Sequence, residues 1–261
     1  MAIKKWAARL VAAGCIFASA GLARAAVDQR SVVGMWLLDE GDGDIAQDEA
    51  GNEWHGAVSG DPDWTDEGVF GGAIDFDGVD DHIDFGADEA LKPEEFTLVA
   101  WFSTRKLNGY GHIIQAGNDW NDMAGYLLRV HQNGNTNGAL AHAPANGAIF
   151  IESAALSTET WYHAAFTFDG ETAVLYLDGM EAGRQGAPGI MYDDLPLRVG
   201  TQSGGNVSSF DGILDELALF NVALELEDIE EIMTEGLQEA TGILPVEPGG
   251  KLATTWGELR R

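Results

Sequence analysis

Six carboxylates in this sequence are placed where they could bind a cation: Asp39, Glu40, Asp48, Asp77, Asp80 and Asp215. Asp215 carries the strongest signal, because it lies between Leu214 and Leu217 in a stretch that should be largely buried. A buried carboxylate is costly unless it is paired with a cation or bound to a metal ion, and basic residues are scarce in this chain. Since Ca²⁺ takes its ligands from carboxylate and carbonyl oxygens, we expect a structural Ca²⁺ ion.

The same acids also allow an interpretation without metal. Asp77 and Asp80 belong to one tight acidic turn, where Asp side chains commonly accept hydrogen bonds from their own backbone. Asp215 is equally able to accept hydrogen bonds from loop amides. Both interpretations stay open at the level of the sequence.

The residues do not form a catalytic pattern. Glycoside hydrolysis needs two carboxylates that flank the scissile bond, and no Glu-x-Asp-x-Glu pattern lies on a predicted strand. The sequence has no Gly-x-Ser-x-Gly elbow for a nucleophilic serine. Its six histidines lack the spacing of zinc ligands. We predict that the protein is not an enzyme, with a glycoside hydrolase or lyase of atypical active site as the alternative.

A ligand-binding surface is predicted around Trp120. This residue lies in a polar loop, Gly117–Asp122, and small-ligand sites combine aromatic side chains with a few polar groups. Tyr110 and Arg129 would join it if the neighbouring strands form as expected. The alternative is that Trp120 folds back onto the edge of the domain. Three further tryptophans within strand patterns are expected in the core: Trp36, Trp101 and Trp161.

These groups must be positioned by an all-β fold, because short alternating segments are divided by Gly, Asp and Asn turns. The predicted strands cover 32–38, 73–76, 82–85, 96–103, 111–116, 126–131, 148–152, 161–168, 173–177, 197–200 and 212–220. Asp169-Gly170 predicts a hairpin turn. One helix is expected, with Leu226, Ile229, Ile232 and Met233 on one face and Gly236 as its stop. The prediction is a two-sheet antiparallel jelly-roll sandwich with one short C-terminal capping helix.

Residues 1–25 have the pattern of a secretory signal peptide, with a basic start, a short apolar run and Ala23-Arg24-Ala25 before cleavage. The run is too short to span a bilayer. A lipidated Cys15 after Ala13-Gly14 is the alternative. Because Cys15 is the only cysteine, the exported protein would have no disulfides. We expect a secreted, periplasmic or cell-surface protein without a membrane span.

Charge excludes several classes of partner. Removal of residues 1–25 leaves 10 Lys and Arg against 43 Asp and Glu. Such an acidic chain repels nucleic acids and anionic membranes. Residues 237–261 are expected to be a linker followed by a short, locally basic tail from Lys251, for which the sequence gives no role.

Several segments in order resemble the LamG-like branch of the concanavalin A-like lectin/glucanase superfamily: Gly34–Gly41, Asp48–Asn52, Gly71–His82, Phe96–Phe102, Trp161–Gly170, Leu175–Gly179 and Gly212–Leu217. The resemblance covers residues 32–235 and places one such domain over residues 27–236. His82 departs from the pattern, since relatives usually carry an aromatic residue there.

The resemblance implies a jelly-roll fold and a lectin-like binding module for a carbohydrate or an extracellular protein. It also implies a structural calcium that links the N-terminal region to the last strand, which points to Asp215 and to one of Asp39, Glu40 and Asp48. A structural protein of the cell envelope, assembled through the tail, is a further alternative. The sequence does not set the oligomeric state.

Overall fold

The structure is a computed structural model that describes residues 27–118, 124–143, 147–205 and 208–243. The predictions for the signal peptide, for Cys15, for Trp120 and for the tail from residue 244 onward lie outside these residues.

Two antiparallel sheets are formed by sixteen strands. The strands are β1 Val32–Trp36, β2 Ile45–Ala46, β3 Gly56–Ser59, β4 Asp63–Thr65, β5 Ala73–Asp77, β6 His82–Asp84, β7 Phe96–Thr104, β8 Gly111–Ala116, β9 Tyr126–His131, β10 Asn135–Ala143, β11 Gly147–Ala155, β12 Trp161–Phe168, β13 Thr172–Leu177, β14 Met180–Gly186, β15 Leu197–Val199 and β16 Asp211–Phe220. Single 3-10 turns cover Gln29–Ser31 and Glu89–Leu91.

The chain distributes these strands over two layers. The first sheet has the order β14-β13-β12-β7-β16-β5-β4, and β1 pairs with the second half of β16. The second sheet has the order β11-β10-β9-β8-β15-β6-β3-β2. Seven of the fourteen strand pairs join strands that are not consecutive in sequence, such as β7 with β16 and β8 with β15, as in a jelly roll. The predicted all-β sandwich is confirmed.

The main core lies between the sheets, where alternate residues of each strand meet. Phe96, Leu98, Ala100 and Phe102 of β7 are fully buried on this inner side. Thr97, Val99, Trp101 and Ser103 therefore face the outer side of the first sheet. The prediction that three tryptophans lie in the core is right for Trp36, which is fully buried, and wrong for Trp101 and Trp161, which are partly exposed.

Two helices cover the outer side of the first sheet. Helix α1, Leu226–Glu235, buries Ile229 and Ile232 against a second apolar cluster that includes Val99 and Phe220. A capping box with Asp228 opens it. Gly236, with φ of +83°, ends it. The helix predicted from the sequence is confirmed.

The fold continues beyond the predicted stop. Helix α2, Leu237–Thr241, buries Leu237 and Ala240 in the same cluster, and the Ala240 carbonyl accepts the N–H of Val27. The prediction that a linker begins at residue 237 is therefore wrong. Residues 237–241 form a helix instead, because their apolar side chains pack against the first sheet. Within the described part of the chain, no helix has the length and hydropathy needed to cross a membrane.

Five strands were missed by sequence reasoning. β2, β3 and β4 are short and lie at or near the sheet edges, so they carry little alternation. β10 begins with Asn and Gly residues, and β14 is an almost fully exposed edge strand. The Asp169-Gly170 hairpin between β12 and β13 is confirmed, with φ of +89° at Gly170.

Candidate functional site

A stack of two aromatic rings and a guanidinium lies on the outer side of the second sheet. The neighbours of Arg129 along β9 belong to the core, so Arg129 faces outward. Its guanidinium carbon lies 4.4 Å from the ring centroid of Tyr110 and 6.0 Å from that of Phe150. Its Nε donates to Oδ1 of Asn137 at 3.2 Å. Because Arg129 is only 6% exposed, the cation is held in one orientation between the rings.

Polar groups border the stack. Nδ1 of His131 lies 3.7 Å from a carboxylate oxygen of Glu152, and Nδ2 of Asn135 donates to Glu152 at 3.0 Å. The His131 ring packs edge-on against Tyr110 with centroids 5.0 Å apart. Burial lowers the pKa of His131, so its imidazole is mainly neutral at pH 7. Phe150 beside them is 46% exposed.

We call this group the Arg129 cluster: Tyr110, Arg129, His131, Asn135, Asn137, Phe150 and Glu152. The structure brings together Tyr110 and Arg129, two of the three residues that the sequence predicted as ligand-binding. The third, Trp120, lies outside the described residues. Sequence reasoning missed Phe150 and Glu152, because the pairing of β10 with both β9 and β11 was not predicted. Their exposed positions on an alternating strand were the available signal.

Asp215 and Glu216 lie where β16 changes its neighbour. β16 pairs with β5 through Leu214 and with β1 from Leu217 onward, and a bulge at this point gives Glu216 a φ of +53°. The loop before β5 enters the gap between those neighbours. Oδ2 of Asp215 accepts the N–H of Val69 at 2.6 Å and that of Phe70 at 3.0 Å.

Asp39 completes this corner, which we call the Asp215 corner: Asp39, Asp215 and Glu216. Oδ1 of Asp39 accepts the N–H of Gly72, in the same loop that binds Asp215. Burial, together with the nearby charge of Asp39, raises the pKa of Asp215 to about 6. Burial, with the charges of Asp215 and Asp39, raises the pKa of Glu216 to about 8. Burial thus disfavours the negative charges of Asp215 and Glu216.

Two further predicted metal ligands, Asp48 and Glu40, accept hydrogen bonds from backbone N–H groups. Asp48 is 2% exposed, and its two oxygens accept four backbone N–H groups, from Met35, Ala50, Asn52 and Trp54. These fixed donors stabilise the carboxylate, so Asp48 joins the β1 region to the following loop. Glu40 accepts the N–H of Gln47 through Oε1 at 2.6 Å, and its Oε2 is buried without a hydrogen-bond partner among the described residues.

The acidic turn between β5 and β6 brings three acids together. Ligand atoms of Asp77, Asp80 and Asp81 lie within 4.8 Å of one another. However, Asp77 accepts the N–H of Val79 at 2.7 Å, and Asp81 accepts the N–H of Asp77 at 2.7 Å. This geometry fits the turn-shaping interpretation for Asp77, while Asp80 contributes its backbone carbonyl to His82 at 2.8 Å.

Among the described residues, only the acidic turn brings three acidic ligand atoms within 4.8 Å of one another. The Asp215 corner is distinguished instead by one oxygen, because Oδ1 of Asp215 is buried and has no hydrogen-bond partner among the described residues. A buried lone pair of this kind is costly when it is unsatisfied. A cation bound there would satisfy this oxygen and reduce the repulsion between Asp39 and Asp215.

Comparisons with known proteins support the same fold. A family model for the concanavalin A-like lectin/glucanases superfamily matches residues 77–230. No curated protein matches this chain in sequence.

The solved structures that are similar in fold include proteins of several kinds. The binding domain of Paraclostridial mosquitocidal protein 1 has 16% identity and a TM-score of 0.65, over 79% of this chain and 52% of that one. Domain 4 of an extracellular arabinanase from Geobacillus stearothermophilus, in complex with arabinotriose, has 18% identity and a TM-score of 0.61, over 77% and 98%. A sialidase from Trypanosoma rangeli has 16% identity and a TM-score of 0.58, over 80% and 33%. This chain thus spans about half of the mosquitocidal protein's chain and a third of the sialidase. Sequence identities below 20% establish a similarity of fold alone.

Proposed function

Since the chain belongs to the concanavalin A-like lectin/glucanases superfamily, we propose that it is a secreted binding module whose ligand is a neutral saccharide. The Arg129 cluster is the proposed binding surface. The similar solved structures support a binding module. Two of them are the binding domain of a mosquitocidal protein and an arabinanase domain in complex with arabinotriose.

The exposed ring of Phe150 beside fixed polar groups is the observation that carries this proposal. An apolar ring held at the surface offers a stacking face for the C–H side of a sugar. Glu152, Asn135 and His131 then offer hydrogen-bond acceptors and donors for hydroxyl groups at the edge of that ring. Arg129 and Tyr110 keep this surface rigid, which lowers the entropic cost of binding.

The charge of the chain favours neutral ligands. Glu152 lies within the cluster, and the sequence after residue 25 has 43 acidic against 10 basic residues. A surface potential of this sign repels uronic acids, sulfated sugars and sialic acids. A polysaccharide of neutral sugars is therefore the ligand class that we propose.

The ion pairing of an acid on β5 favours binding without hydrolysis. Asp75 and Asp77 lie two residues apart and on the same face of one strand, as a glycosidase pair could. Arg105 donates to both oxygens of Asp75, at 2.7 and 3.0 Å, and also to Asp211 at 2.7 Å. Its guanidinium thus clamps β5 to β16, and Asp75 has a structural role.

We also propose that Ca²⁺ binds at the Asp215 corner as a structural ion. Asp215 and Asp39 would be its carboxylate ligands, which agrees with the position expected from the resemblance for one acid before residue 50. The ion would fix the loop before β5 to the last strand. Its role is stability, so sugar binding at the Arg129 cluster does not require it to contact the ligand.

A glycan array with purified protein tests the saccharide proposal. We expect binding to neutral polysaccharides that Phe150→Ala lowers at least tenfold. Ile45→Ala is the matched control, because Ile45 is exposed to the same extent (45%) and lies at the opposite edge of the same sheet. Equal binding by both variants, or retention only on extracellular proteins, would contradict the proposal.

A further inference from the structure

A groove with an acidic lining runs between the helices and the β13–β14 turn. Its volume is about 840 Å³. Six acids line it: Asp178, Glu227, Glu230, Glu231, Glu235 and Glu239. No Lys or Arg is found among the described residues of the lining. Met180 and Met233 add apolar surface, and Met180 is 70% exposed. The groove thus combines strong negative charge with soft apolar contacts.

We propose that this groove binds the last eleven residues of the same chain, Lys251–Arg261. This segment contains Lys251, Arg260 and Arg261, which are three of the ten basic residues after residue 25. It also contains Trp256, a large ring that suits the apolar surface of Met180 and Met233. The segment therefore complements the groove in charge and in apolar character.

The chain leads from the groove to this segment. Glu239 of helix α2 lines the groove, and Ile243 packs against the apolar cluster under both helices. Only the seven residues 244–250 separate Ile243 from Lys251, and they span at most about 25 Å when extended. A tether of that length gives the tail a local concentration of roughly millimolar order.

The strength expected for this contact is modest. Exposed ion pairs each contribute little to the free energy of docking. The tether and the contact of Trp256 with the methionines must therefore contribute as well. Salt should weaken the docked state, because it screens exposed charges within about 10 Å at 0.1 M. A reversible, salt-sensitive contact is therefore expected.

Engineered cysteines in the full chain test the proposal, since Cys15 is the only native cysteine and is replaced by Ser. Met180→Cys with Thr255→Cys should form an intramolecular disulfide at least tenfold faster than Val79→Cys with Thr255→Cys. Val79 is the control because it is 66% exposed and lies in the β5–β6 turn, which joins the first sheet to the second and does not line the groove. Adding Arg260→Glu and Arg261→Glu, or 0.5 M salt, should abolish the difference.

Two outcomes would overturn the proposal. Equal rates for Met180→Cys and Val79→Cys would mean that the tail has no preference for the groove. Disulfides between molecules would mean that the tail docks on a second copy. Neither outcome bears on the saccharide proposal, because the Arg129 cluster lies on the other sheet.

Discussion

Asp215 and Asp39, 176 positions apart in the sequence, bind the backbone of one short loop. Asp215 accepts the N–H groups of Val69 and Phe70, and Asp39 accepts that of Gly72. The loop enters the gap where β16 passes from β5 to β1. The two acids therefore join the N-terminal region, the loop and the last strand.

Calcium should stabilise the protein through this corner. At a Ca²⁺ concentration about 100 times its Kd, binding to the folded state adds about 2.7 kcal/mol. For a domain of this size we expect the Tm to rise by roughly 5–10 °C relative to EGTA. Differential scanning calorimetry measures the shift.

Two variants distinguish the possible positions of the ion. Asp215→Asn should remove most of the calcium-induced shift, because it removes the charge at the unsatisfied oxygen. Asp80→Asn changes the acidic turn and should leave the shift unchanged. If Asp80→Asn removed the shift and Asp215→Asn did not, the ion would belong to the turn.

Acid should weaken the fold through His163. Burial lowers the pKa of His163 to about 3 in the folded state, while the unfolded value is near 6.5. The unfolded chain therefore binds a proton below pH 6.5 that the folded chain does not, and stability falls as the pH falls from 6.5 toward 3. The slope from this group approaches about 1.4 kcal/mol per pH unit.

His163→Gln removes this titration and should flatten the decline in urea-unfolding free energy between pH 6 and 4.5. His82→Gln is measured in parallel as the control, since His82 is a partly exposed histidine on β6 of the second sheet. An unaltered slope in His163→Gln would show that His163 is protonated in the folded protein.

Removal of the Asp48 carboxylate should destabilise the protein strongly. Asp48→Ala leaves four backbone N–H groups without their acceptor, and we expect a loss of at least about 3 kcal/mol. Asp48→Asn keeps one oxygen, so its loss should be about half as large. Chemical denaturation compares both with Asp44→Ala, an exposed acid nearby. Equal stability of the Asp44 and Asp48 variants would contradict the structural role.

The orientation of the Arg129 guanidinium should matter for saccharide binding. Lysine keeps the charge but lacks the planar group that stacks between Tyr110 and Phe150. We expect Arg129→Lys to weaken binding roughly tenfold in isothermal titration calorimetry, with Arg184→Lys, an exposed ion-pair residue, as the control. Binding by Arg129→Lys at the affinity of the unmodified chain would mean that the stack does not position the ligand.

Local patterns in the sequence determined the fold class. Alternation along β7 indicated which residues share a face, because the strand period of two is a local property. It did not place Trp101, which faces the outer side of the first sheet, and Trp161 of β12 is likewise partly exposed. The apolar spacing and acidic first turn of helix α1 were equally local. Tyr110 and Arg129 were expected to lie together because Tyr110 directly precedes β8 and Arg129 lies on β9, and these strands are adjacent in sequence. The structure places the two side chains in contact.

Only the tertiary structure decided what the acids do. Asp48 and Asp215 are both buried acids near apolar strands, yet one has four amide donors and the other has an unsatisfied oxygen. The donors to Asp215 lie 145 and 146 residues away. The hydrogen-bond partner of a buried carboxylate depends on which distant loops come into contact, and residue type and spacing do not predict that contact.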